Sequence, residues 1–168
     1  MLIRDALLPE FDLEAANTRK VLERVPEDKL DWRPHPKSFT MAELATHLAD
    51  IPGWLPYTLG GDSVDIGDPN GPKPDPPSKS TKELVARFDK QIAAARAALA
   101  AAENGVFGQP WSLKAGGKVI FTLPKVAVVR AFVMSHTIHH RGQLTVYLRL
   151  NDVPVPSVYG PSADENPF

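Results

Sequence analysis

Four stretches of this chain repeat apolar residues every three or four positions, and connections rich in proline and glycine separate them. A stripe with that period is one face of an α-helix, and such a face must be buried against another element. Four stripes therefore predict an all-α fold, a four-helix bundle. A length of 168 residues suits one core, so the prediction is a single domain over 1–168.

The first stripe, over residues 3–25, holds Ile3, Leu7, Phe11, Thr18, Val21, Leu22 and Val25. Pro9 lies inside it and predicts a kink or a later start, and Pro26 ends it. Thr40 and Glu43 have capping-box spacing ahead of Met41, Leu44, Leu48 and Ile51. Pro52 and Pro56 weaken the second half of that helix, although "GWLPYTL" stays apolar up to Gly60. Ser80 and Glu83 repeat the capping-box spacing before Leu84, Phe88, Ile92, Ala95 and Leu99, and Asn104-Gly105 is the stop. Trp111–Leu113 and Val119–Phe121 flank Ala-Gly-Gly, which predicts a small β-hairpin before the last helix, Lys125 to Leu150. Residues 60–79 sustain neither period. They read as a long loop, either functional or an inert proline-stiffened strap over one end of the bundle.

Composition excludes several functions. A net charge of −1 gives no basic field, so nucleic acid is not an expected partner. No apolar run approaches the roughly 20 residues that span a bilayer, so no membrane association is expected. "MLIRDALLPEF" meets an arginine and an aspartate too early for a secretory signal, so a cytoplasmic protein is expected. Cysteine is absent, which removes disulfides, thiolate ligands and a cysteine nucleophile. Any metal must be held by histidine or carboxylate, and any thiol chemistry must use a thiol from outside.

The histidines interrupt the pattern. On the last helix the stripe runs through Val129, Phe132 and Val133 to Leu144, Tyr147 and Leu148, and its middle steps fall on His136 and His140. At i,i+4 spacing both imidazoles lie on one face about a turn apart, which lets one helix offer two ligands to one ion. His47 stands three residues after Leu44 and four before Ile51, at the edge of the second helix's buried face. A lone histidine there is most often a hydrogen-bonded core residue. Three from two helices, each needing partners for both nitrogens, point to a divalent ion. Three neutral imidazoles leave tetrahedral zinc an open fourth position, and nickel or ferrous iron accepts the same set with waters.

His139, beside the stripe, is an alternative ligand or faces a neighbouring helix or solvent. His35, in "RPHPK", reads as an exposed loop residue. The second residue of a His-Glu-x-x-His protease motif would here be Thr137, so that motif is absent. Asp50, three residues after His47, is the better candidate base, because Glu43 completes a cap. Arg141 and Gln143 are candidates for orienting a substrate anion or holding a ligand, against an arginine that simply faces outward.

"LATHLADIPGW" and "HTIHHRGQLTVYLR", with "LDWRPHPKSFTMAEL" before them and "YGPSADE" at the end, resemble the DinB-like (DinB/YfiT) family over essentially the whole chain. The resemblance implies a four-helix bundle in up-down-down-up order, often dimeric, with a divalent ion on three histidines that map onto His47, His136 and His140. Relatives include transferases and isomerases that use low-molecular-weight thiols, and others are described as metal-dependent hydrolases by similarity. Three functions follow as expectations. The first is a metal-dependent transferase acting on a small molecule with a low-molecular-weight thiol, and the second is a hydrolase using Asp50. The third is a non-enzymatic stress-associated metal-binding module. A homodimer is expected in each case.

Overall fold

The computed structural model describes residues 2–73 and 75–167. Its helices are α1 (Ile3–Leu22), α2 (Met41–Asp50), α3 (Trp54–Gly60), α4 (Thr81–Ala101), the single turn α5 (Lys125–Ala127) and α6 (His136–Leu150). The turn Ile51–Gly53 is a 3-10 segment joining α2 to α3, so the doubtful second half of that helix is helical after all. Pro56 falls in the first turn of α3, where no backbone N–H is needed.

α1 also runs continuously from Ile3 through Pro9, so the regular helix begins before the proline and not near it. The bond lost at Pro9 is offset at the helix start. Asn104 Oδ1 accepts from the Ile3 N–H at 2.8 Å, and Arg4 donates to the carbonyls of Ala100 and Ala102 at 3.1 and 3.2 Å. The Thr40–Glu43 capping box is complete at α2. At α4 only half of the expected box forms: Ser80 caps Glu83, whose carboxylate turns to the Lys79 N–H instead.

α1 and α2 each pack against both α4 and α6. Leu7, Phe11, Leu22, Leu44, Leu48, Phe88, Leu99, Leu144 and Leu148 meet in one core. At 10 residues α2 is shorter than the roughly 12–15 that are marginal alone in water, so this packing holds it helical.

Between α5 and α6, Val128–Ser135 winds as a π-helix. Such wide turns are rare and tend to occur near functional sites. This one keeps Val129 and Val133 in the main core and lets Phe132 pack beside Trp54 and His136.

The hairpin comprises β2 (Pro110–Ala115) and β3 (Lys118–Pro124), antiparallel, turning at Gly116 and Gly117 with φ of 58° and 80°. A third strand was not anticipated. β1 (Ser63–Asp65), inside the supposed loop, pairs in parallel with Ser112–Lys114 to give the order β1-β2-β3. The fold is therefore four main helices plus a small three-stranded sheet. Val64, Trp111, Leu113 and Val128 form a second cluster under that sheet, in contact with Trp54.

The 60–79 segment is pinned on both limbs. Asp65 accepts from the N–H groups of Gly67, Gly116 and Gly117 at 2.8, 2.8 and 2.6 Å. Only glycine fits at 67, where a Cβ would stand 2.3 Å from the Gly116 nitrogen. On the other limb, buried Ser78 donates its N–H to Thr46 Oγ1 at 2.9 Å, one residue from His47. The C-terminal tail is tied back by Arg24–Glu165 at 2.6 Å and by Arg149 to Asp164.

Candidate metal centre

α2 and α6 bring His47, His136 and His140 together, each half-buried, with their ligand nitrogens within 4.8 Å of one another. The Nε2 atoms of His136 and His140 are 2.8 Å apart, and those of His47 and His136 are 3.3 Å apart. Two nitrogens each about 2.0–2.1 Å from one ion stand roughly 2.9–3.4 Å apart, so these two pairs are close to the spacing that one ion imposes.

Proton positions sharpen the case. His136 Nδ1 lies 3.3 Å from the Phe132 carbonyl, which can only accept, so the proton sits on Nδ1. His140 Nδ1 lies 2.7 Å from Gln143 Oε1, and the same reasoning applies. With both Nδ1 protons placed so, the two Nε2 lone pairs converge on one point, where a cation can sit between them. The donor set fits a divalent ion through neutral nitrogen ligands oriented by their outer contacts.

Burial keeps these imidazoles neutral. It pushes His47 down to about 4, with the nearby His140 and His136 adding to the effect. Burial also lowers His136 and His140, partly opposed by the Phe132 carbonyl and by Gln143.

The other candidates fall into place around this cluster. His139 is exposed and packs edge-on against His140 at 4.8 Å between ring centres, outside the cluster. His35 is exposed and accepts the Lys37 N–H. Glu43 is used by its cap. Gln143 touches a histidine as a candidate orienting group should. Arg141 does not face outward. It is 3% exposed and ion-paired to Glu14 at 2.6 Å, and it donates to Tyr159 Oη at 2.5 Å. One step of α6 beyond His140 turns it onto α1, where Glu14 takes the place of an apolar residue.

An open cleft of about 690 Å³ starts at His47 and Asp50. Trp54 and Tyr57 of α3 line it together with Ile66, Pro72, Lys73 and Asp75, so the 60–79 strap contributes a wall of the site. Asp50 is bound by Arg87 Nε at 2.9 Å and by the Gln91 side chain. Burial raises its pKa, while Arg87 and Gln91 oppose the rise. Arg87 also reaches Asp75 at 3.2 Å and the Pro76 carbonyl at 3.0 Å, latching the strap to the cleft floor. The sequence reading missed Arg87, Gln91, Trp54 and Tyr57. The only local signal was the i,i+4 pair of polar groups on α4 flanking Phe88.

A helical bundle with three inward histidines on two helices defines a candidate metal-site protein. More specifically, the chain belongs to the DinB superfamily, whose model matches residues 10–144. It is 24% identical to an uncharacterised Bacillus subtilis protein, YrdA, over 96% of this chain and 90% of that one. Two solved structures share the fold. A DinB-like protein from Bacillus subtilis matches with a TM-score of 0.71 and 16% identity, over 91% of this chain and 97% of that chain. A DinB-like protein from Bacillus cereus matches at 0.69 and 23%, over 92% and 97%. Among the described residues no helix is long and apolar enough to cross a membrane.

Proposed function

We propose that the protein is a divalent-metal-dependent transferase that joins a small-molecule substrate to a low-molecular-weight thiol. His47, His136 and His140 hold the ion, which is zinc, nickel or ferrous iron. The observation that carries this reading is the 2.8 Å approach of two Nε2 atoms whose Nδ1 protons are engaged elsewhere. When bound, the ion supplies a Lewis acid that lowers the pKa of a thiol or water beside it.

Thiol is favoured over water because both carboxylates lining the cleft, Asp50 and Asp75, are engaged by Arg87, and Asp50 by Gln91 as well. A metal-activated thiol needs no protein base, and a chain without cysteine must take its thiol from solution. One observation favours hydrolysis as the second reading: burial raises the Asp50 pKa, the direction that makes a carboxylate a better base.

The reading takes the chain as one domain over 1–168 with its helices in up-down-down-up order. A main core fed by α1, α2, α4 and α6, and the shared packing of α1 and α2 on α4 and α6, support it. A cytoplasmic homodimer acting without nucleic acid or membrane completes it, on the strength of the family resemblance and the composition.

Cobalt-loaded protein tests the proposal. A cellular thiol should produce a thiolate-to-metal charge-transfer band that His136→Ala abolishes and Asp50→Asn leaves in place. No band at any thiol concentration would sink the transferase, and hydrolysis that disappears in Asp50→Asn would establish the second reading.

A further inference from the structure

We infer that the cleft beside the histidines takes an amphiphilic organic anion, whose flat apolar body lies between Tyr57 and Ile66 and whose negative group meets Lys73. This deepens the proposed function, which accounts for the ligand's reactive end at the histidines. The apolar walls and Lys73 stand without it.

Size comes first. A cleft of about 690 Å³ falls within the roughly 300–1,000 Å³ typical of sites for drug-sized molecules. The two walls then indicate an apolar occupant. Tyr57 is 49% exposed and Ile66 51%, and these large apolar groups left open to water line the same cleft from α3 and from the strap. Behind Tyr57 the wall is stiff. Trp54 packs edge-on against Tyr57 at 6.4 Å and against Phe132 at 5.3 Å between ring centres, and Phe132 contacts His136 at 5.8 Å. A flat body on that wall is led toward the histidines. The strap wall is held by the three N–H bonds to Asp65, so Ile66 is presented on a fixed backbone.

Charge fixes the polar end. Both carboxylates at the cleft, Asp50 and Asp75, already have Arg87 as partner. Lys73 lines the same cleft and has no ion pair among the described residues. An incoming negative group therefore meets an unpaired cation and no unpaired carboxylate, and the neutral imidazoles offer no competing negative charge.

The test is fluorescence titration with two probes of the same flat shape, anionic 8-anilinonaphthalene-1-sulfonate and neutral N-phenyl-1-naphthylamine. Both are run on metal-loaded and on chelated protein. Tyr57→Ala and Ile66→Ser should each weaken both probes about fivefold. Tyr57→Phe, which keeps the ring, should bind as wild type. Lys73→Gln should weaken the sulfonate about threefold and leave the neutral probe unchanged. Leu13→Ser, at an exposed site that does not line the cleft, should change neither. Absence of saturable binding, or indifference of both probes to Tyr57→Ala and Ile66→Ser, overturns the apolar walls. Equal response of the two probes to Lys73→Gln overturns the anionic end. The same mutational pattern in chelated protein upholds the cleft even if metal analysis removes the histidine site.

Discussion

His140 and Arg141 are neighbours on one helix and have opposite fates. Arg141 turns into α1, where Glu14 Oε2, Thr18 Oγ1 and Tyr159 Oη surround its guanidinium, and Tyr159 donates back to Glu14 at 2.8 Å. That cluster is closed, with donors matched to acceptors. His140 turns toward His47 and His136, with its Nε2 facing that of His136. The difference separates two kinds of half-hidden polar cluster. A saturated one holds the fold together, whereas one with surplus acceptors on one point is made to receive something. The buried pair is by itself weak evidence of net stabilisation, because desolvation offsets much of the attraction. Removing one partner is a different matter.

The largest effect should come from breaking the closed cluster. Arg141→Met strands the Glu14 carboxylate in the interior and should destabilise the fold by about 3–5 kcal/mol in urea unfolding of metal-free protein. His136→Ala should change that metal-free stability far less and instead abolish the metal. Elemental analysis of untagged protein should find about one ion per chain in wild type and almost none in the variant. If the two substitutions exchanged these effects, the contrast between the clusters would be wrong.

Gln143→Ala offers a finer test, since it removes only the group that orients His140. Metal affinity should fall about tenfold in a competition titration, with unfolding unchanged. A loss as complete as that of His136→Ala would make Gln143 more than an orienting group.

Acid gives the smallest effect and a direction. Each of the three imidazoles has a folded pKa below its ordinary value, so the folded chain binds fewer protons than the unfolded one as pH falls below about 6.5. Metal-free stability should therefore be level above that pH and decline toward about 4, the value for His47. Urea midpoints at pH 7 and pH 5 check it. His136→Ala should flatten the decline, and Arg141→Met should not.

Local chemistry made much of this legible in the sequence. The caps at Thr40 and Ser80 and the stripes through Leu44, Phe88 and Leu144 needed no tertiary information. The histidines stood out because they replaced apolar residues within a regular period. β1 was illegible because three residues carry no periodicity, and their pairing partners lie almost fifty positions away. The cleft was hidden for the same reason: Ile66 and Lys73 belong to it only because the strap is sewn to the hairpin at Asp65. Arg141 misled because a lone arginine beside a histidine says nothing about an acid on another helix.

The π-turns at Val128–Ser135 set the rotational phase of everything downstream. Dropping or adding one residue there would swing His136 and His140 together by about 100° around the axis. Residues ahead of the change would keep their seats. Chain length in this short segment thus works as a dial on the whole histidine array, and a frame-preserving indel there would erase the site at one stroke without touching a single one of its side chains.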